Sequence, residues 1–194
     1  GHSITISVSD GLIGEQYFDL SEVEADESIG QNEAEKIVRN GFLESVSLHL
    51  RSDVPVGLFL SGGIDSASLA GVVAKVYQEK ELHTFSIGFK DKSNLDESGL
   101  AAVVANKVGS THHKMTLEAI DLKNNFDDFI QAIDQPSGDG LNSFFVSKIA
   151  SDYVKVALSG LGGDEIFLGY RYMKELFRMH EMERVFGGKN LIKG

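Results

Sequence analysis

The chain has 194 residues, 42% of them hydrophobic and 24% charged, the composition of one globular domain with an appendage. It contains no cysteine, which excludes disulfides, thiolate zinc sites, iron–sulfur clusters and a thiol nucleophile. A formal net charge of −11 argues against a nucleic-acid surface. No apolar run nears the ~20 residues of a membrane span and no signal-peptide pattern opens the sequence, so a soluble, cytoplasmic protein is expected.

In chain order, Ile4, Ile6 and Val8 alternate with serine and threonine and predict a short strand. The acidic run Glu22–Glu27 reads as a solvated stretch, making 1–31 a linker segment and 32–194 the folded domain. A helix is expected from Asn32, which would cap it with Glu35 closing a capping box. Val38, Phe42, Val46 and Leu50 would form its buried stripe. Val54–Leu60 predicts a buried parallel strand that ends at Ser61-Gly62-Gly63. Leu69, Val72, Val73 and Val76 place a helix directly after it, and His83–Phe89 predicts the second strand. Asp96 is the expected cap of a helix carrying Leu100, Val103, Val104 and Val108, with Gly109 stopping it. His112–Met115 predicts a third strand. Leu122, Phe126, Phe129, Ile130 and Ile133 mark one helix that must end by Asp134-Gln135-Pro136. A helix near 141–151 leads into a fourth strand over Val154–Leu158, and Tyr170, Tyr172 and Phe177 read as a packing stripe on the last helix. This alternation predicts an α/β fold, a three-layer α/β/α arrangement around a parallel sheet. Ligands in such folds bind beyond the carboxyl ends of the strands, at a switch point.

The 21 glycines, about 11% against a usual ~7%, concentrate where strands hand over to loops. Ser61-Gly62-Gly63-Ile64-Asp65-Ser66 lies between a strand and a helix start, where unpaired N–H groups and the helix dipole suit a phosphate or pyrophosphate. No lysine closes the loop, so it is not GxxxxGK[ST]. It carries Asp65, and an acid beside a polyphosphate implies a bridging cation, Mg²⁺ in preference. The second loop, Ser159-Gly160-Leu161-Gly162-Gly163-Asp164-Glu165, supplies another acid. Asp164 alone reads equally as a helix N-cap; beside the first loop it reads as the second flank of one metal–pyrophosphate unit.

The Ser61–Ser66 hexapeptide resembles the pyrophosphate (PP) loop of the N-type ATP pyrophosphatases, a signature shared with NAD synthetase, GMP synthetase and tRNA-thiolating enzymes. Val154–Tyr170, VKVALSGLGGDEIFLGY, is more specific and resembles the second signature of the asparagine synthetase family. Val54-Pro55-Val56-Gly57, Gly109-Ser110-Thr111-His112-His113 and Asp134-Gln135-Pro136 fit the same family, and Gly1–Leu20 resembles the segment leading out of its amide-hydrolysing domain. The resemblance implies an adenine nucleotide alpha hydrolase-like fold. It implies an adenine site at the backbone of Leu60 and Ile87 and at Ser159-Gly160. Pyrophosphate would be held by Ser61, Gly62, Gly63, Asp65 and Ser66, and Mg²⁺ by Asp65 and Asp164. The implied chemistry is a ligase reaction: ATP-dependent adenylation of a substrate carboxylate, aspartate or a related acid, releasing pyrophosphate, then amide formation with ammonia.

Some features depart from that pattern. The family's glutamate in the second loop is Leu161 here, which can neither accept a proton nor orient ammonia and leaves the acceptor open. Family relatives of polysaccharide or secondary metabolism, and a nucleotide-binding module without full chemistry, are the alternatives. Without cysteine, ammonia is expected from a glutaminase domain not present in this chain. The family domain continues beyond residue 194, so a C-terminal truncation is expected, and a homodimer is left open. Arg171, Lys174, Arg178, Arg184, Lys189 and Lys193 read as surface charge. Neighbours on a strand point to opposite faces, so His112 and His113 cannot share a metal; they read as structural, with one of them facing the nucleotide pocket as the alternative. Asp139 reads as turn chemistry or as a substrate-facing acid.

Overall fold

The computed structural model describes residues 1–26, 28–77, 81–90, 96–135 and 137–186. Two compact units, Gly1–Phe42 and Leu43–Gly194, meet inside one 19-residue helix.

In the first unit, β1 (His2–Ser7) and β2 (Gly11–Gln16) form an antiparallel hairpin. The sequence predicted the first strand alone. Its turn signal lies in Asp10-Gly11: Gly11 has φ +71°, and Asp10 N donates to Ser7 Oγ at 2.9 Å. Helix α1 (Gln31–His49) starts one residue before the expected cap. Asn32 lies within it, and Glu35 Oε1 accepts from Gln31 Nε2 at 3.0 Å in place of a capping box. The expected stripe is only partly realised, for Val38 and Phe42 are exposed and Val46 is buried.

The second unit holds a four-stranded sheet in the order β5-β4-β3-β6, every pair parallel. The strands are β3 (Val56–Phe59), β4 (His83–Phe89), β5 (Thr111–Leu117) and β6 (Val156–Leu158). Leu58 and Leu60 share one face of β3. With Val46 of α1 they pack on Leu69, Ala70 and Val73 of α2 (Ile64–Val76) and on Ala101 and Ala105 of α3 (Ser98–Val108). Phe59 and Phe85 turn to the other face and pack on Val146, Ile149 and Ala150 of α6 (Gly140–Ala150), with Val154 just after it. The predicted three layers are therefore present. Burying a side chain such as Phe85 or Leu58 from water stabilises the fold by about 1.5–3 kcal/mol each.

Two helices differ from expectation. In α3, Leu100 and Val103 are exposed while Ala101 and Ala105 are buried, because the seam with α2 is built of alanines that let the two helices approach. The N-cap of α3 is Glu97, not Asp96, though Asp96 still accepts from Ser98 N at 3.0 Å, and Gly109 ends the helix at φ +73°. The helix expected through Ile133 is two, α4 (Ala119–Asn124) and α5 (Phe126–Ala132). Asn125 breaks them by turning its Nδ2 back onto Asp121 O at 2.8 Å. Pro136 lies outside the described residues.

Sequence order reverses between β3 and β6. After β3 the chain builds outward through β4 and β5, then returns to the other side of β3. The carboxyl ends of β3 and β6 flank that switch point, and both glycine-rich loops leave from there.

Candidate active site

Leu60 N donates to Phe85 O at 2.8 Å, extending the ladder by one bond before the chain turns. The next six residues are held by their own hydroxyls. Ser61 N donates to Ser66 Oγ at 3.2 Å, the two hydroxyls lie 2.9 Å apart, and Gly63 N donates to Ser61 Oγ at 3.1 Å. Gly63 is the N-cap of α2 and offers no side chain to it. By helix geometry the first-turn N–H groups of Ile64, Asp65 and Ser66 have no intrahelical acceptor, and the dipole adds positive potential there.

The second loop lies against the first, backbone on backbone. A Cβ on Gly160 would sit 2.8 Å from Ser66 N and 3.1 Å from Asp65 C. One on Gly163 would meet the Asp65 carboxylate at 2.5 Å. Gly162 at φ +96° is the N-cap of α7 (Gly163–Phe167), so Asp164 lies inside the first turn and the N-cap reading of it fails. Asp65 and Asp164 thus belong to two loops in direct contact.

Between the loops, β4 and α6 lies a cleft of about 630 Å³. Leu60, Ser61, Gly63, Asp65, Ser66, Ile87, Ser159, Gly160 and Asp164 all line it. Gly62 does not. It packs against α3, where an added Cβ would lie 2.9 Å from Cβ of Glu97 and of Leu100. Among the described residues no group of three or more His, Asp or Glu side chains forms a metal-holding array.

The asparagine synthase family profile matches residues 38–192. The chain belongs to the asparagine synthase family. It is 37% identical over 169 residues to the protein named putative asparagine synthetase [glutamine-hydrolyzing] 2 of Methanocaldococcus jannaschii, covering 81% of this chain and 32% of that relative. It is 36% identical over 163 residues to asparagine synthetase [glutamine-hydrolyzing] 1 of Bacillus subtilis, covering 81% and 25%. The chain therefore spans about a third or less of these relatives' length. Among solved structures, an NH3-dependent NAD synthetase from Campylobacter jejuni superposes with a TM-score of 0.47 at 17% identity, over 70% of this chain and 60% of that one.

Within this asparagine synthase domain the cleft takes in residues that sequence patterning did not single out. Phe85 and Phe89 share Ile87's face of β4, a period-2 relation that the strand itself signals. Glu97 and Ser98 enter at the start of α3, and Asn142 at the start of α6. Asp139 also lines the cleft, its Oδ1 accepting from Asn142 Nδ2 at 2.6 Å. Leu161 lines it too and is 81% exposed. Tyr170 corrects the packing-stripe reading. It precedes α8 (Arg171–Phe186), lines the cleft and donates to Glu165, while Tyr172 and Phe177 are exposed. Of the basic tail, Arg171 pairs with Glu175 at 3.5 Å on the surface. Lys189 and Lys193, and the side chain of Arg184, lie outside the described residues.

His112 and His113 face opposite sides of the sheet, as expected. His112 lies 2.9 Å from Thr84 Oγ1 and 3.1 Å from Ser86 Oγ, and His113 Nε2 lies 3.0 Å from His83 Nδ1 with its ring on Tyr153. Burial pushes both imidazoles below the usual histidine value, with His113 adding to the effect on His112 and His83 to that on His113. The folded state therefore binds protons less readily than the unfolded chain. Their contribution is complete above the unfolded value of about 6.5 and is lost as pH falls from there through the folded values. Urea unfolding should show the midpoint falling between pH 7.5 and 5.5, and less so in His113→Phe, which keeps a ring against Tyr153. A midpoint flat over that range contradicts the assignment. The depressed carboxylates, Asp96 among them, act only at lower pH.

Proposed function

We propose that this chain carries the ATP-dependent, amide-forming part of an asparagine-synthetase-type ligase. The observation that carries the reading is the contact of Gly160 with the backbone of Asp65 and Ser66. It brings two acid-bearing glycine loops to one cleft at an uncapped helix N-terminus. Family membership supports it.

In this reading the backbone of Leu60 and Ile87 and the Ser159-Gly160 turn receive the adenine. The hydroxyls of Ser61 and Ser66 and the first-turn N–H groups of α2 receive the pyrophosphate. Gly62 serves by close packing on α3. The donor set fits Mg²⁺, which accepts one or two carboxylates, here Asp65 and Asp164, and completes its shell with phosphate oxygens and water. When bound, it neutralises charge on the departing pyrophosphate. The acceptor's carboxylate oxygen attacks the α-phosphorus and pyrophosphate leaves, stabilised by donors already aimed at it. Ammonia then attacks the acyl carbon and AMP departs with the former carboxylate oxygen. Leu161 offers no proton acceptor at the cleft, so the proton lost by ammonia goes elsewhere. Aspartate or a related acid is the proposed acceptor, and a glutamine-hydrolysing activity like that in the relatives' names is the proposed ammonia source.

ATP–pyrophosphate exchange with Mg²⁺ and a panel of carboxylates including aspartate tests this. Carboxylate-dependent exchange is expected. Mg²⁺·ATP binding without exchange under any carboxylate would leave a nucleotide-binding module in place of a ligase, and no Mg²⁺-dependent binding would remove the nucleotide reading as well.

A further inference from the structure

The segment after α7 folds back over the acids that α7 carries. Leu168 adopts left-handed backbone at φ +55° and reverses the chain. Gly169 N then donates to Asp164 O at 3.0 Å, and a Cβ on Gly169 would overlap Asp164 Oδ1. Tyr170 returns to the cleft, where its hydroxyl donates to Glu165 Oε1 at 2.5 Å. Its ring stacks on Tyr172, with centroids 5.4 Å apart and planes 12° from parallel. The turn is thus closed at two points, Gly169 on Asp164 and Tyr170 on Glu165.

Asp164 and Glu165 are adjacent acids lining the same cleft, and one cation could draw either. We propose that Tyr170 is a positioning residue that decides between them: by engaging Glu165 it leaves the Asp164 carboxylate to face the metal–pyrophosphate unit. This rests on the function proposed above. A charge-assisted bond from a phenol ties up Glu165 and fixes its rotamer. The hydrogen bond to Glu165, then desolvation and the carboxylate's charge, push the Tyr170 hydroxyl up to about 12, so it remains a donor at any physiological pH. Stacking on Tyr172 holds the ring in place whether or not the hydroxyl is there.

Tyr170→Phe removes the bond and keeps the ring. Calorimetric ATP titrations of the chain across a Mg²⁺ series, and in EDTA, read the effect. The half-saturating Mg²⁺ concentration is expected to rise about tenfold, the scale of one hydrogen bond to a charged group. ATP affinity in EDTA and the melting temperature should stay as in the wild type. Glu165→Gln, which removes the competing charge and keeps an oxygen for the Tyr170 hydroxyl, should leave the Mg²⁺ requirement near the wild-type value, and combined with Tyr170→Phe it should cancel the rise. An unchanged Mg²⁺ requirement in Tyr170→Phe overturns the proposal, as does an equal loss of ATP affinity with and without Mg²⁺. Should Tyr170→Phe fail to fold, a rise of about tenfold in the requirement of Glu165→Gln overturns it, because the ion then needs that acid in its own right. A wild-type chain without Mg²⁺-dependent ATP binding removes the proposed function itself, which shows before any variant is made.

Discussion

Gly160→Ala should cost the protein both stability and nucleotide binding, while Gly71→Ala, on the same helix that Gly160 touches, should stabilise it. The atoms a Cβ on Gly160 would meet are Ser66 N at 2.8 Å and Asp65 C and Ser66 Cα at 3.1 Å. All three are backbone at the first turn of α2, with no flexible tip to swing aside. Either the second loop lifts from the first or α2 shifts along β3, where Leu69, Ala70 and Val73 are already buried. Overpacking of this kind costs about 1–3 kcal/mol. For a chain of this size each kcal/mol lowers the melting temperature by about 2–4 °C. Because the displaced atoms include donors proposed for the pyrophosphate, ATP affinity should fall by about tenfold or more, the weight of one lost hydrogen bond to a charged group. Gly71 has nothing within 4 Å of its Cβ position in the interior of α2. Alanine there should add about 0.5–1 kcal/mol. Thermal melts with and without Mg²⁺·ATP check both; a Gly160→Ala variant that melts and binds like wild type would mean that the loops do not depend on that contact.

The pair of glycines also shows which parts of this fold the sequence reports. The strand β3 was legible because a parallel strand covered on both faces must be an apolar run, while β4, His83–Phe89, was placed to the residue although Thr84 and Ser86 alternate with Phe85 and Ile87. The position of the first loop was legible because a strand that ends in Ser-Gly-Gly before a helical period must turn there. The helix faces were read less well, since apolar spacing favours large residues and the α2–α3 seam uses Ala70, Ala101 and Ala105 to bring two backbones together. The same closeness explains Gly62, whose neighbour Glu97 is 35 positions away along the chain and is brought there only by the sheet order. Tyr170 was missed for a related reason. Its partner Glu165 is near in sequence, but the reversal at Leu168 that joins them is a left-handed leucine, which no propensity rule anticipates. Asn125 is the opposite case: its side chain competes with the helix backbone, and that local signal was available in the sequence.

Asp65→Asn and Asp164→Asn should each reduce the ATP–pyrophosphate exchange rate by about 10²–10³-fold, the range for removing one group that stabilises developing charge. Asparagine keeps the size and one oxygen of each acid, so the contacts with Gly163 and Gly169 survive and the fold should melt as before. What distinguishes one shared ion from two independent acids is the double variant. If both carboxylates act on one Mg²⁺–pyrophosphate unit, the first substitution already loses most of what the pair provides, and the second adds little; effects of residues that act as a unit are far from additive. If the acids work separately, the two losses multiply to about 10⁴–10⁶-fold. The geometry favours the first outcome. Asp65 reaches across to Gly163, one residue before Asp164, and Gly160 fixes the two loops against each other beneath them. Raising Mg²⁺ should then restore part of the rate in either single variant, since one remaining carboxylate still recruits the ion more weakly. Loss that excess Mg²⁺ does not relieve, together with multiplying effects in the double variant, would separate the two acids and take the shared-ion arrangement with it.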